Sequence, residues 1–130
     1  ATTVARAVKA LDRELILLAP AHSALERAGE AAGLRVAREV FADRSYQPDG
    51  QLTPRSQPGA VLHGAQDCVQ HVLRMLEAGG IVTADGQRLP TRIDSICVHG
   101  DGPGAVEAAR AIRTALEAAG HRLVTLPERV

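Results

Sequence analysis

A repeated junction constrains this chain more than any other feature. Glu30-Ala31-Ala32-Gly33-Leu34-Arg35-Val36 recurs as Glu117-Ala118-Ala119-Gly120-His121-Arg122-Leu123, and Leu76 to Val82 carries a looser copy. Each copy runs an amphipathic helix into a glycine and then directly into an apolar run. Glycine accepts the left-handed backbone that ends a helix, so the unit reads as helix into strand. Apolar strands alternating with helices pair in parallel and place their helices outside. Two α/β architectures meet that requirement, a doubly wound sheet and an arc of a β/α barrel. Whole barrels take about 250 residues, so the 130 residues present form a single domain the size of about half a barrel.

The other elements follow from local pattern. Val4, Ala7, Val8 and Leu11 share a helix face, and Glu14 to Ala19 is a strand ended by Pro20. Ser23 with Glu26 makes a capping-box pattern for a helix that Gly33 stops, and Leu34 to Phe41 is the next strand. Residues 42–60 hold Pro48, Gly50, Pro54, Pro58 and Gly59, which predicts a long loop. Loops of this length inside compact domains are often functional. Val61 to Ala78 is a strand-like entry plus helix, with Val69, Val72, Leu73 and Leu76 on one face. Asp85-Gly86 marks a hairpin over 81–90, and Ile93 to Val98 is another strand. Ala105 to Ala119 is a helix with Val106, Ala109, Ile112 and Leu116 inward, and His121 to Leu126 is a last strand.

Composition removes several function classes. Fifteen basic residues balance fifteen acidic ones, so the chain lacks the positive field that nucleic acid or an anionic membrane surface requires. Phe41 and Tyr46 are its only aromatic residues besides histidine, too few for a base-stacking platform. The apolar run from Leu15 to Ala21 is far too short to span a bilayer, and the expected location is cytoplasmic. Cys68 and Cys97 lack metal-ligand spacing and basic neighbours, and both read as core thiols.

Two segments carry the residue types that chemistry needs. Val98 to Gly104 reads VHGDGPG where a strand hands over to a helix, so His99 and Asp101 would project from the carboxyl rim of the sheet. Gly100 and Gly102 allow close backbone approach, and the following helix start offers N–H groups to an anion. The plainer alternative has Asp101 capping the helix and His99 packing beneath the loop. The second segment, Glu39 to Ser56, gathers Glu39, Asp43, Arg44, Tyr46, Arg55 and Ser56 at a strand end. An arginine fork there can hold a carboxylate or phosphate, and a neighbouring carboxylate can position or deprotonate water. A solvated loop with neighbour pairs Asp43–Arg44 or Arg38–Glu39 is the alternative. His63, Asp67 and His71 lie four apart, but a solvent-facing polar stripe is favoured over a metal site, and none is assigned.

Arg38 to His63 (REVFADRSYQPDGQLTPRSQPGAVLH) and Cys97 to Gly120 (CVHGDGPGAVEAARAIRTALEAAG) closely resemble the carboxy-terminal half of the family of 5-oxoprolinase A subunits, also called LamB/YcsF. The resemblance implies parallel β/α units forming about half of a (β/α)7 TIM-like barrel related to glycoside hydrolases and deacetylases. It also implies ATP-coupled opening of 5-oxoproline to L-glutamate, with magnesium accompanying the ATP, together with the 5-oxoprolinase B and C subunits. On this reading Arg44 and Arg55 hold the substrate carboxylate or phosphate, aided by Tyr46, Ser56, Glu39, Gly100 and Gly102. Asp101 or Asp43 activates water and His99 moves the proton. The family's amino-terminal segments, with an Asp-Leu-Asn-type opening and several histidines, have no counterpart here, so an amino-terminal half or a second copy would complete the barrel.

Two rival expectations stand beside this one. By fold analogy with deacetylase barrels, the chain could serve a metal-dependent amide or acetyl hydrolase. Alternatively it is a non-catalytic piece whose sheet edges need a partner.

Overall fold

The computed structural model describes residues 1–130. The elements run α1 (Thr2–Leu11), β1 (Ile16–Pro20), α2 (Ala24–Ala31), β2 (Arg35–Phe41), α3 (Ala65–Ala78), β3 (Gly80–Val82), β4 (Arg88–Pro90), β5 (Ser95–Cys97), α4 (Ala105–Ala118) and the short α5 (Leu126–Arg129). No helix is long and apolar enough to cross a membrane.

Local chemistry accounts for the helix ends. Ser23 caps α2 by accepting from the Glu26 N–H at 3.1 Å. The Glu26 carboxylate takes the His22 N–H instead of closing the box on Ser23. Gly33, at φ 74°, turns the chain out of α2, and Lys9 Nζ from α1 donates to the Ala32 carbonyl at 2.6 Å.

β1, β2 and β5 form a parallel sheet in that order, with Pro20 and Glu39 in register and Glu39 in turn level with Ser95. Strand alternation assigns the faces. Leu17, Ala19 and Val36 pack with Ala5, Val8, Leu25 and Ala28 of α1 and α2. Ala42 and Ile96, of the same parity, pack with Cys68, Val69, Val72, Ile112 and Leu116 of α3 and α4. All of these helices therefore lie on one side. The other face presents Leu18, Pro20, Ala37, Glu39, Phe41, Ser95 and Cys97 with no helix over it. A doubly wound sheet would be covered on both faces, and its strand order would reverse at a switch point. These strands follow chain order with outer helices only, as in part of a TIM-like barrel.

β3 and β4 pair antiparallel around the Asp85-Gly86 turn, inserted between α3 and β5. Gly80 N-terminal to that turn is buried, and a Cβ there would collide with the Leu89 carbonyl across the hairpin. Asp94, with its side chain fully buried, ties the approach to β5 together. Its Oδ2 accepts from Arg38 N–H and from Arg92 Nε, each at 3.0 Å. Its Oδ1 lies 3.1 Å from Arg129 Nε in an ion pair without hydrogen-bond alignment, which tethers α5.

Two expectations fail for one reason. Residues 121–125 form no strand, and Leu123 and Val124 are exposed. Val106 and Ala109 also face solvent. A strand requires a hydrogen-bonded neighbour, and nothing pairs with the outer edge of β5. Its side toward α4 opens instead into a cleft of about 770 Å³ lined by Ile96, Val98, Ile112, Leu116 and Val124. α4 packs on α3 through Ile112 and Leu116, with Ala111 and Ala115 beside them, and leaves Val106 in its first turn exposed.

Gly80→Ala should lower stability by about 1–3 kcal/mol, because backbone rather than a flexible side chain blocks the added methyl. A urea midpoint equal to that of the parent would show that the hairpin yields at no cost.

Candidate active site

Three chain segments leave the carboxyl ends of the parallel strands. His22 follows β1, Asp43 follows β2 and His99 follows β5. Because β2 and β5 are adjacent, Asp43 and His99 face each other although 56 residues separate them. His99 Nδ1 lies 2.8 Å from Asp43 Oδ1 and 2.9 Å from Oδ2. Both side chains are half-buried, at 31% and 22% exposure, so the pair is reachable from solvent. The His99 ring stacks on Phe41, with centroids 5.7 Å apart, which fixes its plane. With a carboxylate on Nδ1, the ring proton resides there and the Nε2 lone pair is free.

Glu39 stands on the same uncovered face, two residues upstream of Phe41 and level with Pro20 and Ser95. Partial burial raises its carboxyl above the usual 4.5, and the nearby His99 opposes the rise. Cys97, which pairs in register with Phe41, is half-buried on this face rather than in the core. Desolvation, reinforced by Glu39 and Asp43, raises its thiol above the usual 9.0, so it is no poised nucleophile. Cys68 is buried under α3, as a core thiol should be.

The long loop is a folded object. Arg44 bridges to Val61 and Tyr46 to Leu52, and Gly50, Thr53 and Ala60 are buried beneath its surface. Arg44, only 8% exposed, sends Nε to the Ala60 carbonyl at 3.3 Å and a terminal nitrogen to the Thr53 carbonyl at 2.8 Å. Its fork thus holds the loop closed. Tyr46 is buried, and its hydroxyl accepts the Phe41 N–H at 2.9 Å where β2 ends. Burial pushes the phenol up to about 12. Arg55 and Ser56 lie exposed on the turn in which Gln57 N–H meets the Pro54 carbonyl. Asp101, Gly100 and Gly102 are exposed in the turn before α4. Asp101 does not cap that helix, whose N-cap is Gly104 without a side-chain bond. Arg38 pairs with Glu26 and Glu30 rather than with Glu39.

Two histidines take places that no motif announces. His71 belongs to no solvent stripe. It stacks against Tyr46 with centroids 6.3 Å apart, and its Nε2 is buried without a partner. Desolvation lowers its pKa below 6.5, partly offset by its bond to the Arg44 backbone. His63 and Asp67 stay exposed. His22 adopts φ 61°, its Nε2 meets Thr91 Oγ1 at 2.7 Å, and its carbonyl receives Gln51 Nε2 at 3.0 Å, tying the loop to β1. Only the i, i+4 spacing of Asp67 and His71 and the position of His22 after a strand could have marked them.

The LamB/YcsF family model matches residues 1–130. The chain belongs to the LamB/YcsF family. It is 58% identical over 128 residues to the 5-oxoprolinase A subunit of Azoarcus sp. (strain BH72), covering 98% of this chain and 50% of that protein. It is 50% identical over 129 residues to the 5-oxoprolinase A subunit of Rhodopseudomonas palustris (strain BisB5), covering 99% and 51%. A solved structure, the lactam utilization protein of Thermus thermophilus, superposes with a TM-score of 0.84 at 39% identity, over 94% of this chain and 48% of that one. The chain thus spans about half the length of the curated relatives it matches, and the LamB/YcsF fold assignment agrees with the one-sided helix layer.

His71 generates a pH dependence of stability. Its folded pKa is depressed, so below its ordinary 6.5 the unfolded chain binds a proton that the folded chain resists. Stability should therefore be full above pH 6.5 and decline as pH falls toward the folded pKa. His71→Gln should flatten that decline in chemical denaturation between about pH 5 and 7, and an unchanged slope would remove His71 as its source.

Proposed function

We propose that this chain carries the hydrolytic centre of a cytoplasmic, ATP-dependent 5-oxoprolinase. In this reading it belongs to the A subunit and opens 5-oxo-L-proline to L-glutamate, working with the B and C subunits. The observation that carries the reading is the Asp43–His99 pair on a helix-free face, in a chain whose relatives bear that enzyme's name.

A lactam carbonyl is deactivated by amide resonance, so hydrolysis needs an activated carbonyl and a deprotonated water. His99 is built for the second task. Asp43 holds Nδ1–H, orients the ring and stabilises the imidazolium formed when Nε2 takes a proton from water. ATP, when bound, supplies carbonyl activation by phosphoryl transfer to the lactam oxygen.

The turn before α4 fits a phosphate group. Nothing lies within 4 Å of where a Cβ would sit on Gly100 or Gly102, and the start of α4 has no side-chain cap. The exposed Arg55 fork beside Ser56 suits the substrate carboxylate or a phosphate. Arg44 acts at one remove, by shaping the loop that presents them. Asp101, exposed and unbonded, remains free to position water near His99. No three His, Cys, Asp or Glu side chains gather to hold a metal ion on this chain. Magnesium accompanying ATP would be held largely by phosphate oxygens. Further barrel strands pairing with the free edges of β1 and β5 would close over the site and exclude water.

In the assembled enzyme, His99→Asn and Asp43→Asn should each reduce ATP-dependent glutamate release by about 10²- to 10⁴-fold. Wild-type rates in both variants would overturn the reading.

A further inference from the structure

We propose that Glu39 is the proton donor to the departing lactam nitrogen, an assignment that rests on the hydrolytic reading above. Breaking the ring C–N bond expels an amide nitrogen, which leaves only if protonated. His99 cannot serve alone at the outset, because its free Nε2 begins as the acceptor of the water proton. A second group, holding a proton and facing the same space, is required.

Glu39 meets that description. Its neighbours in register, Pro20 and Ser95, are uncharged, leaving the carboxyl room on the uncovered face. No hydrogen bond or ion pair fixes its charge, unlike Asp43, which His99 holds. It is near enough to His99 to feel the charge of that ring. The remaining ionisable groups around it are Cys97 on β5, Asp43, and the Tyr46 phenol below β2. Arg35, of the same parity, lies at the far end of β2 and is engaged by the Glu14 carbonyl. Two carboxyl groups in unlike environments divide acid from base work. Partial burial, which favours the protonated carboxyl, points the same way.

The step balances. The water oxygen bonds to the carbonyl carbon while its proton passes to His99 Nε2. The added hydroxyl becomes the new carbonyl and gives its proton to solvent, the C–N bond breaks with its electron pair on nitrogen, and nitrogen takes the proton from the Glu39 carboxyl. The phosphoryl group stays on the former lactam oxygen as an acyl phosphate, which a second water hydrolyses to glutamate and phosphate. The proton on His99 then returns to the Glu39 carboxylate through solvent, restoring both groups.

The test uses the assembled enzyme with 5-oxoproline and with its lactone analogue, whose ring oxygen departs with little need of protonation. Glu39→Gln should lower kcat for the lactam by about 10²-fold with little change in KM, and should lower lactone hydrolysis only a few-fold. Lactam turnover by the parent should fall as pH rises through the Glu39 pKa, and this limb should vanish in Glu39→Gln while Glu39→Asp retains it. Equal losses on lactam and lactone, or a wild-type lactam rate, would overturn the assignment. Inactive His99→Asn beside fully active Glu39→Gln would overturn this inference alone, whereas an assembly releasing no glutamate would overturn both readings.

Discussion

All four longer helices cover a single face of the parallel strands, and the rest of the molecule depends on that asymmetry. It leaves Glu39, Phe41, Ser95 and Cys97 on a face with no helical cover, and it brings the ends of β2 and β5 together so that Asp43 meets His99. The burial on the helix side is made of small and branched aliphatic groups such as Ala19, Val36, Val40 and Ile112. Such groups fill a thin layer closely, which suits a chain with almost no aromatic residues.

The loop after β2 is the second support. Its proline and glycine content forbids regular structure, yet its backbone is ordered by side chains that reach inward. Arg44 answers two loop carbonyls and Tyr46 anchors the end of β2, while His71 from α3 closes the underside against the phenol. Removing a buried charge such as Arg44 leaves those carbonyls unanswered, at a typical cost of about 1–3 kcal/mol for each buried group. Two residues that a motif reading sends to substrate are thereby placed beneath the site. They set where Asp43 stands, and Arg55 and Ser56 keep the exposed positions.

The failed strand over 121–125 shows what pairing means for a parallel fold. Its residues have a strand-like pattern, and the junction at Gly120 copies the one at Gly33 that does lead into β2. β2 forms because β1 and β5 flank it, whereas the later copy meets only the groove beside β5. Local pattern is the same at both places and the outcome differs through neighbours alone. Along α4, likewise, periodicity marks an apolar stripe of Val106, Ala109, Ile112 and Leu116, of which only Ile112 and Leu116 are buried.

From the sequence alone came the helix-into-strand units, the parallel pairing and the placement of His99 and Asp43 at strand ends, because periodicity and glycine stops are local properties of the backbone. Family membership was legible there too, in the long motifs around Asp43 and His99. The tertiary structure decided which of the two parallel architectures is built, since covering one face or both is a matter of packing. It also decided that Asp43 pairs with His99 instead of Arg44, that Arg44 and His71 turn inward, and that Glu39 and Cys97 share the open face. Those choices join residues far apart in the chain, and no local pattern encodes a distance between them.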